Sequence, residues 1–265
     1  MVAVMVPFFV FSQTVAFPIL MALLGAVGIY EMSACIGSKN QVIPTVLAVS
    51  VGLGMPFLAR YCDSGLFGYL FIIAFGIIAI CMVCAVFSGE GFTADKAAIL
   101  SSNAVYVAFG FSSLVLLRDM KYGVYVFIIP FVVSWMTDTF AYFTGMLIGK
   151  HKLIPSVSPK KTVEGAVGGT VFAVALTLLY GFIAGKINGA EPQYLSIAII
   201  STVTSVLSQC GDLIMSLIKR KYGIKDYGKI FPGHGGVLDR FDSIVMTAPV
   251  IYFITQFVPF MEIFK

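Results

Sequence analysis

The chain has 265 residues, 59% of them hydrophobic and only 11% charged, with a formal net charge of +4 and a mean hydropathy of +0.97. A soluble domain carries roughly 25% charged residues, so a water-soluble globule is excluded. The apolar runs are continuous, which also excludes a β-barrel made of ~10-residue alternating segments.

A membrane-spanning helix takes about 20 mostly apolar residues. The candidate stretches, in chain order, are 1–12, 14–31, 42–60, 65–88, 97–117, 122–149, 163–186, 193–218 and 243–263. The expected fold class is therefore all-α, a polytopic integral membrane protein with about nine transmembrane helices. The first stretch is short, and 1–31 also reads as one long broken helix. Turn chemistry marks the breaks: Ser38-Lys39-Asn40, Asp63-Ser64-Gly65, Gly89-Glu90-Gly91 and Asn188-Gly189. No repeat, low-complexity tract or linker to a soluble domain is visible. The reading is a single transmembrane domain over 1–265, with N-terminal helices of unassigned role in 1–120 and functional helices and loops in 122–250. No basic region precedes the first apolar run, so no signal peptide is expected, and a few polar residues are expected to be missing upstream. Cys81 and Cys84 lie one helical turn apart inside an apolar run and read as packing residues; no second pair completes a zinc set.

The basic residues orient the spans. With the N-terminus inside, the inner side holds Lys39, Lys96 and the basic residues of loops 150–162 and 219–242. The outer side keeps Arg60, Arg118, Lys121, Lys186 and Lys265. That distribution obeys the positive-inside rule and turns both basic loops to the cytoplasm, whether or not 1–12 is a span.

Two carboxylates interrupt apolar spans. Asp138 follows Ser134-Trp135-Met136-Thr137, and Asp212 follows Ser208-Gln209-Cys210-Gly211. A carboxylate at mid-membrane costs at least ~2.5–3.5 kcal/mol and usually faces a polar cavity; the duller alternative is an interhelical hydrogen bond. At 1.5 Å per residue, Asp212 lies about 10 Å and Asp138 roughly 16 Å below the inner boundary. Asp239 and Asp242 sit at the inner start of the last span, three residues apart and so on one helical face. The four carboxylates can converge in a cavity open to the cytoplasm, and such oxygen donors suit Mg²⁺. Asp212, Ser216, Lys219 and Arg220 form one helical stripe, acidic in the bilayer and basic at its rim.

The loops add anion chemistry. Pro232-Gly233-His234-Gly235-Gly236 lets a backbone approach a ligand closely and direct N–H groups at it, with Lys219, Arg220, Lys225 and Arg240 supplying charge. Attraction to lipid headgroups explains the cations but not the interleaved Asp226, Asp239 and Asp242. This pattern points to a phosphate or nucleotide. His234 can bind phosphate, transfer a proton or simply hold the turn. Ser158-Pro159-Lys160-Lys161-Thr162 reads as an anion-binding corner opening a helix. The alternative is a capped helix start with Glu164 in its first turn. His151 reads as a plain loop residue.

Ser216-x-Ile218-Lys219-Arg220-x4-Lys225-Asp226-x-Gly228-x3-Pro232-x-His234-Gly235-Gly236-x-x-Asp239-Arg240-x-Asp242 resembles, at every defining position, the signature of the phosphatidate cytidylyltransferase (CDP-diacylglycerol synthase) family. Asp138-Thr139-Phe140-Ala141-Tyr142 with Gly145, the Ser158–Gly165 segment and Gly211-Asp212 also look like that family. The likeness is close over about 130–250, and only hydropathy and span count match before it. The basic stretch that usually precedes the family's first span is missing. The resemblance implies formation of CDP-diacylglycerol and pyrophosphate from CTP and phosphatidic acid in phospholipid synthesis. It implies Mg²⁺, with a second cation such as K⁺. It also implies a bacterial inner-membrane location with the active site facing the cytoplasm. Partners are CTP, phosphatidic acid and membrane lipids, with no nucleic acid; a homodimer is compatible.

Carried onto this sequence, Asp212 and Asp239 are the leading metal carboxylates, followed by Asp242 and Asp138. Lys219, Arg220 and His234 join Asp212 and Asp239 in catalysis. Ser158, Lys160, Lys161, Thr162, Lys225, Gly235, Gly236 and Arg240 bind substrate. The same metal–phosphate chemistry would also serve a CTP-dependent lipid-alcohol kinase or a cytidylyltransferase for another lipid phosphate. A transporter with a midplane ion site is the non-enzymatic alternative, but no paired Gly/Pro-broken halves support it.

Overall fold

The computed structural model describes residues 11–265 except 39, 63–65, 232 and 234; at 66, 67 and 90 only the backbone is described. The chain runs through α1 (Ala16–Cys35), α2 (Val42–Tyr61), α3 (Leu66–Ser88), a 3₁₀ turn at Gly89–Gly91, α4 (Ala94–Asp119), α5 (Gly123–Val126) and α6 (Ile129–Ile148). A hairpin of β1 (Lys152–Ile154) and β2 (Ser158–Thr162) follows, then α7 (Val163–Asn188), α8 (Tyr194–Lys221) and α9 (Leu238–Phe257). Seven of the expected stretches are helices long and apolar enough to cross a membrane, with α5 and α6 together making one of them. The architecture is an all-α polytopic membrane protein. The predicted stretch 1–12 falls almost wholly outside the described residues, and 11–15 form turns.

Two expectations need correction. The last helix, expected at 243–263, runs over Leu238–Phe257. Its first turn, Leu238-Asp239-Arg240-Phe241-Asp242, is too charged to register in hydropathy. The 150–162 segment, expected as a loop, forms an antiparallel hairpin pairing Lys152 with Thr162 and Ile154 with Ser158. Lys160 and Lys161 therefore sit on a strand that runs straight into α7.

The helices form two compact units, one from residues up to Leu116 together with Lys221–Phe241, the other from Leu117–Arg220 together with Asp242–Lys265. In the first, α1 meets α2 backbone to backbone. A Cβ on Gly52 would stand 3.0 Å from the Gly25 carbonyl carbon and 2.7 Å from Ile29. Around that contact Phe17, Met21, Ile29, Met32, Phe111 and Leu114 are fully buried, and Phe111 packs on Phe241 with ring centroids 5.4 Å apart.

The second unit is held by small residues and hydroxyls, the means of helix association where lipid is as apolar as the side chains. A Cβ on Gly169 of α7 would lie 2.6 Å from the Thr137 carbonyl oxygen of α6, and one on Gly165 would lie 2.6 Å from that of Ala141. Thr137 Oγ1 and Ser205 Oγ share a hydrogen bond of 2.8 Å, Ser205 Oγ donates to Thr170 Oγ1 at 3.1 Å, and the Gln209 amide donates to Thr170 Oγ1 at 3.2 Å. These polar rungs tie α6, α7 and α8 together along the line that ends at Asp212. Gly169→Ala should therefore destabilise the protein by about 1–3 kcal/mol through overpacking. Gly76→Ala, on an α3 position with nothing within 4 Å, should not. Thermal unfolding of the two variants in detergent checks the contrast.

Candidate active site

The hairpin and the C-terminal halves of α6 and α8 line a cavity of about 580 Å³, bounded among others by Asp138, Tyr142, Lys160, Lys161, Gln209 and Asp212. This is within the roughly 300–1,000 Å³ of small-molecule sites. The β-strand sends successive side chains to opposite faces, and the turn into α7 brings Lys161 onto α8. Lys161 Nζ and Asp212 Oδ2 form an ion pair with only 24% and 26% of the side chains exposed. Ser216 Oγ donates to Asp212 Oδ1 at 3.3 Å, the i,i+4 contact expected from the stripe. Lys219, one turn further and buried, adds its charge to Asp212 and Asp242. Asp242 is buried too, and the charges of Asp212 and Asp138 reach it. Asp138, Asp212 and Asp242 thus share a neighbourhood with Lys161 and Lys219 inside one unit.

Around them, other predicted residues have structural partners. Thr162 caps α7, its hydroxyl accepting from Gly165 N at 3.1 Å, so the capped helix start is what the segment forms. Glu164 turns back to the base of the hairpin, accepting from Lys150 N at 3.1 Å and His151 N at 3.2 Å and pairing with His151 Nδ1 at 2.6 Å. His151 is therefore a fastening of the hairpin, not a bystander. Arg220 Nε donates to the Val157 carbonyl in the hairpin turn at 3.4 Å. Ser158 and exposed Lys160 line the cavity.

The other unit carries the glycine-rich turn. Asp239 Oδ2 accepts hydrogen bonds from Tyr227 N at 2.7 Å and Gly236 N at 2.9 Å. Glu31 of α1, only 4% exposed, accepts from Val237 N and Leu238 N at 3.0 Å each. The turn's amides were expected to face a ligand phosphate; those of Gly236, Val237 and Leu238 face the protein's own carboxylates. Gly233 and Gly235 need glycine because their φ values are +73° and +83°. Lys225 is exposed and Arg240 half-buried on the first turn of α9. His234 lies outside the described residues. Glu31 was missed by sequence reasoning because it closes an apolar stretch and looks like a helix end. The criterion that picked out Asp138 and Asp212, a carboxylate in apolar sequence, would have found it.

The donor set fits a hard divalent cation in one particular way. All of its donors are carboxylate oxygens, and the Lys161 ammonium already places a positive group on Asp212 Oδ2. Among the described residues no three His, Cys, Asp or Glu side chains stand together as a ready cage. Mg²⁺ commonly binds through one or two carboxylates, with water and substrate phosphates completing its shell. The residues therefore suit an ion shared with a phosphorylated ligand.

Residues 1–258 match the sequence model of the cytidylyltransferase family. A phosphatidate cytidylyltransferase from Bacillus subtilis is 32% identical over 255 residues, covering 95% of this chain and 93% of the relative. One from Brucella abortus is 36% identical over 228 residues, with 78% and 82% covered. Another, from Staphylococcus saprophyticus, is 42% identical over 166 residues, with 63% and 62% covered.

Proposed function

The chain belongs to the cytidylyltransferase family, and we infer that it transfers CMP from CTP to phosphatidic acid, giving CDP-diacylglycerol and pyrophosphate. The observation that carries this reading is the Lys161–Asp212 pair in a hairpin-walled cavity, within a chain whose relatives are phosphatidate cytidylyltransferases along most of their length. In the bond balance, an oxygen of the lipid phosphate forms a bond to the α-phosphorus of CTP. The bond from that phosphorus to the bridging oxygen of the β-phosphate breaks, and its electrons leave with pyrophosphate. No covalent enzyme intermediate is required, because positioning and charge stabilisation suffice for phosphoryl chemistry.

Both reactants are anions, so their mutual repulsion is the main obstacle. Lys160 and Lys161 hold the phosphates at the hairpin, and Lys219, Arg220, Lys225 and Arg240 supply further positive charge. Asp212, with Asp242 and Asp138, would hold Mg²⁺, which neutralises charge on the triphosphate when bound, and Asp239 offers a further carboxylate for a cation; a monovalent ion such as K⁺ is the second candidate cation. When phosphate reaches Lys161, its ammonium would exchange Asp212 for phosphate oxygens, and the released carboxylate would be available to hold a cation. The acyl chains stay in the bilayer. The positive-inside distribution turns the hairpin toward the cytoplasm, where CTP is found, in a bacterial inner membrane. A homodimer is compatible with this reading.

The test is the fate of label. With the protein in vesicles containing phosphatidic acid, α-³²P from CTP should enter the lipid fraction and γ-³²P should leave as pyrophosphate. Lipid labelled only from the γ position would establish a lipid kinase instead.

A further inference from the structure

We propose that Glu31 is a positioning residue of the active centre: its carboxylate, from the first described helix, fixes the glycine-rich turn and the start of α9, and so the place of Asp239. The inference rests on the role given to Asp239 in the proposed reaction.

Glu31 is almost wholly buried, at 4% exposure, and an unpartnered carboxylate there would be strongly disfavoured. Its partners are the Val237 and Leu238 amides, 3.0 Å from its two oxygens. These belong to the N-terminus of α9, where unsatisfied N–H groups and the helix dipole both favour negative charge. Asp239, whose charge neighbours that of Glu31, gathers Tyr227 N and Gly236 N from the same turn. Two carboxylates thus hold four amides.

The turn is shaped around Glu31. A Cβ at Gly228 or Gly236 would collide with the Glu31 carboxylate, coming 2.9 Å from Cδ in the first case and 2.6 Å from Oε2 in the second. Neither glycine has a positive φ, so backbone conformation does not require glycine at either position; proximity to Glu31 does. Gly236 touches both carboxylates, presenting its N–H to Asp239 and its Cα to Glu31. A displacement of Glu31 is therefore transmitted to Asp239 through one residue. The positive-inside assignment, made from sequence alone, puts residue 31 and the 219–242 loop on the same side of the membrane, as this contact demands.

The test uses the full chain in lipid vesicles, with three readouts on Glu31→Gln: kcat, KM for CTP, and the rate of trypsin cleavage after Lys225 and Lys229, both exposed. The amide presents a donor where an amide N–H already points, so the turn should loosen. A misplacement of the order of 1 Å costs about 100-fold in rate. We expect kcat to fall about 10- to 100-fold with KM for CTP changed by less than about 3-fold. Cleavage after Lys225 and Lys229 should quicken at least about 10-fold, in line with local loosening, while cleavage at other sites is unchanged. Unchanged kcat and unchanged cleavage would overturn the proposal. If Glu31→Gln does not fold, the glycine decides: Gly236→Ala should be nearly inactive, and adding Glu31→Asp, which withdraws the carboxylate by one methylene, should restore activity at least about 5-fold. Full activity in Gly236→Ala, or no rescue, sinks the idea. A wild-type protein that makes no CDP-lipid would defeat the reaction instead, and the cleavage comparison would still judge Glu31.

Discussion

Asp212→Asn should lower CMP transfer at least ~1,000-fold while the protein still inserts and unfolds near the wild-type temperature. Removing one preorganised electrostatic contact typically costs about 100- to 1,000-fold, and Asp212 has two such tasks in the proposed reaction. It holds Lys161 in the cavity through their ion pair, and in that reaction its carboxylate would hold a cation. The isosteric amide keeps the Ser216 contact available and adds no bulk, so packing of α8 is preserved. Lys161→Gln should cost about 100-fold. The double variant should be no worse than Asp212→Asn alone, because groups that act as a unit are not additive. Steady-state transfer of α-labelled CTP to phosphatidic acid measures all three. Activity within tenfold of wild type in Asp212→Asn would remove the centre proposed at the hairpin.

The span pattern was legible, and so was the gathering of charge around Asp212, because the bilayer imposes strong rules. Apolar length marks helices such as α2 and α7 without any alignment, and an ionised residue inside such a run, as at Asp212, is costly enough to signal use. The hairpin was not legible. Ser158-Pro159-Lys160-Lys161-Thr162 has no apolar alternation, and its pairing with Lys152–Ile154 is fixed by Glu164, whose contacts with the Lys150 and His151 amides are long-range in sequence. The start of α9 was hidden for a related reason. A helix beginning Leu238-Asp239-Arg240 looks like loop until the carboxylate that caps it is known, and that carboxylate is Glu31, some two hundred residues away. The glycines at 235 and 236 were recognised as special, but for approach to a ligand; the contacts they permit are with Asp239 and Glu31.

Asp239→Asn separates the two tasks of the second carboxylate. Its Oδ2 accepts both Tyr227 N and Gly236 N, and the carbonyl oxygen of an asparagine can take the same two bonds. If Asp239 only held the turn, the amide would keep the geometry and activity would fall little. The proposed reaction instead requires its negative charge, toward a cation and the phosphates it accompanies, and a neutral amide cannot supply that. The expected result is a loss of about 1,000-fold in kcat/KM for CTP, the scale seen when a charge-stabilising group is removed from phosphoryl transfer. Trypsin cleavage after Lys225 should stay at the wild-type rate. This is the opposite combination to Glu31→Gln, in which cleavage quickens and the rate loss is smaller. A modest loss in Asp239→Asn accompanied by faster cleavage would assign Asp239 to the turn alone and leave the cation to Asp212, Asp242 and Asp138.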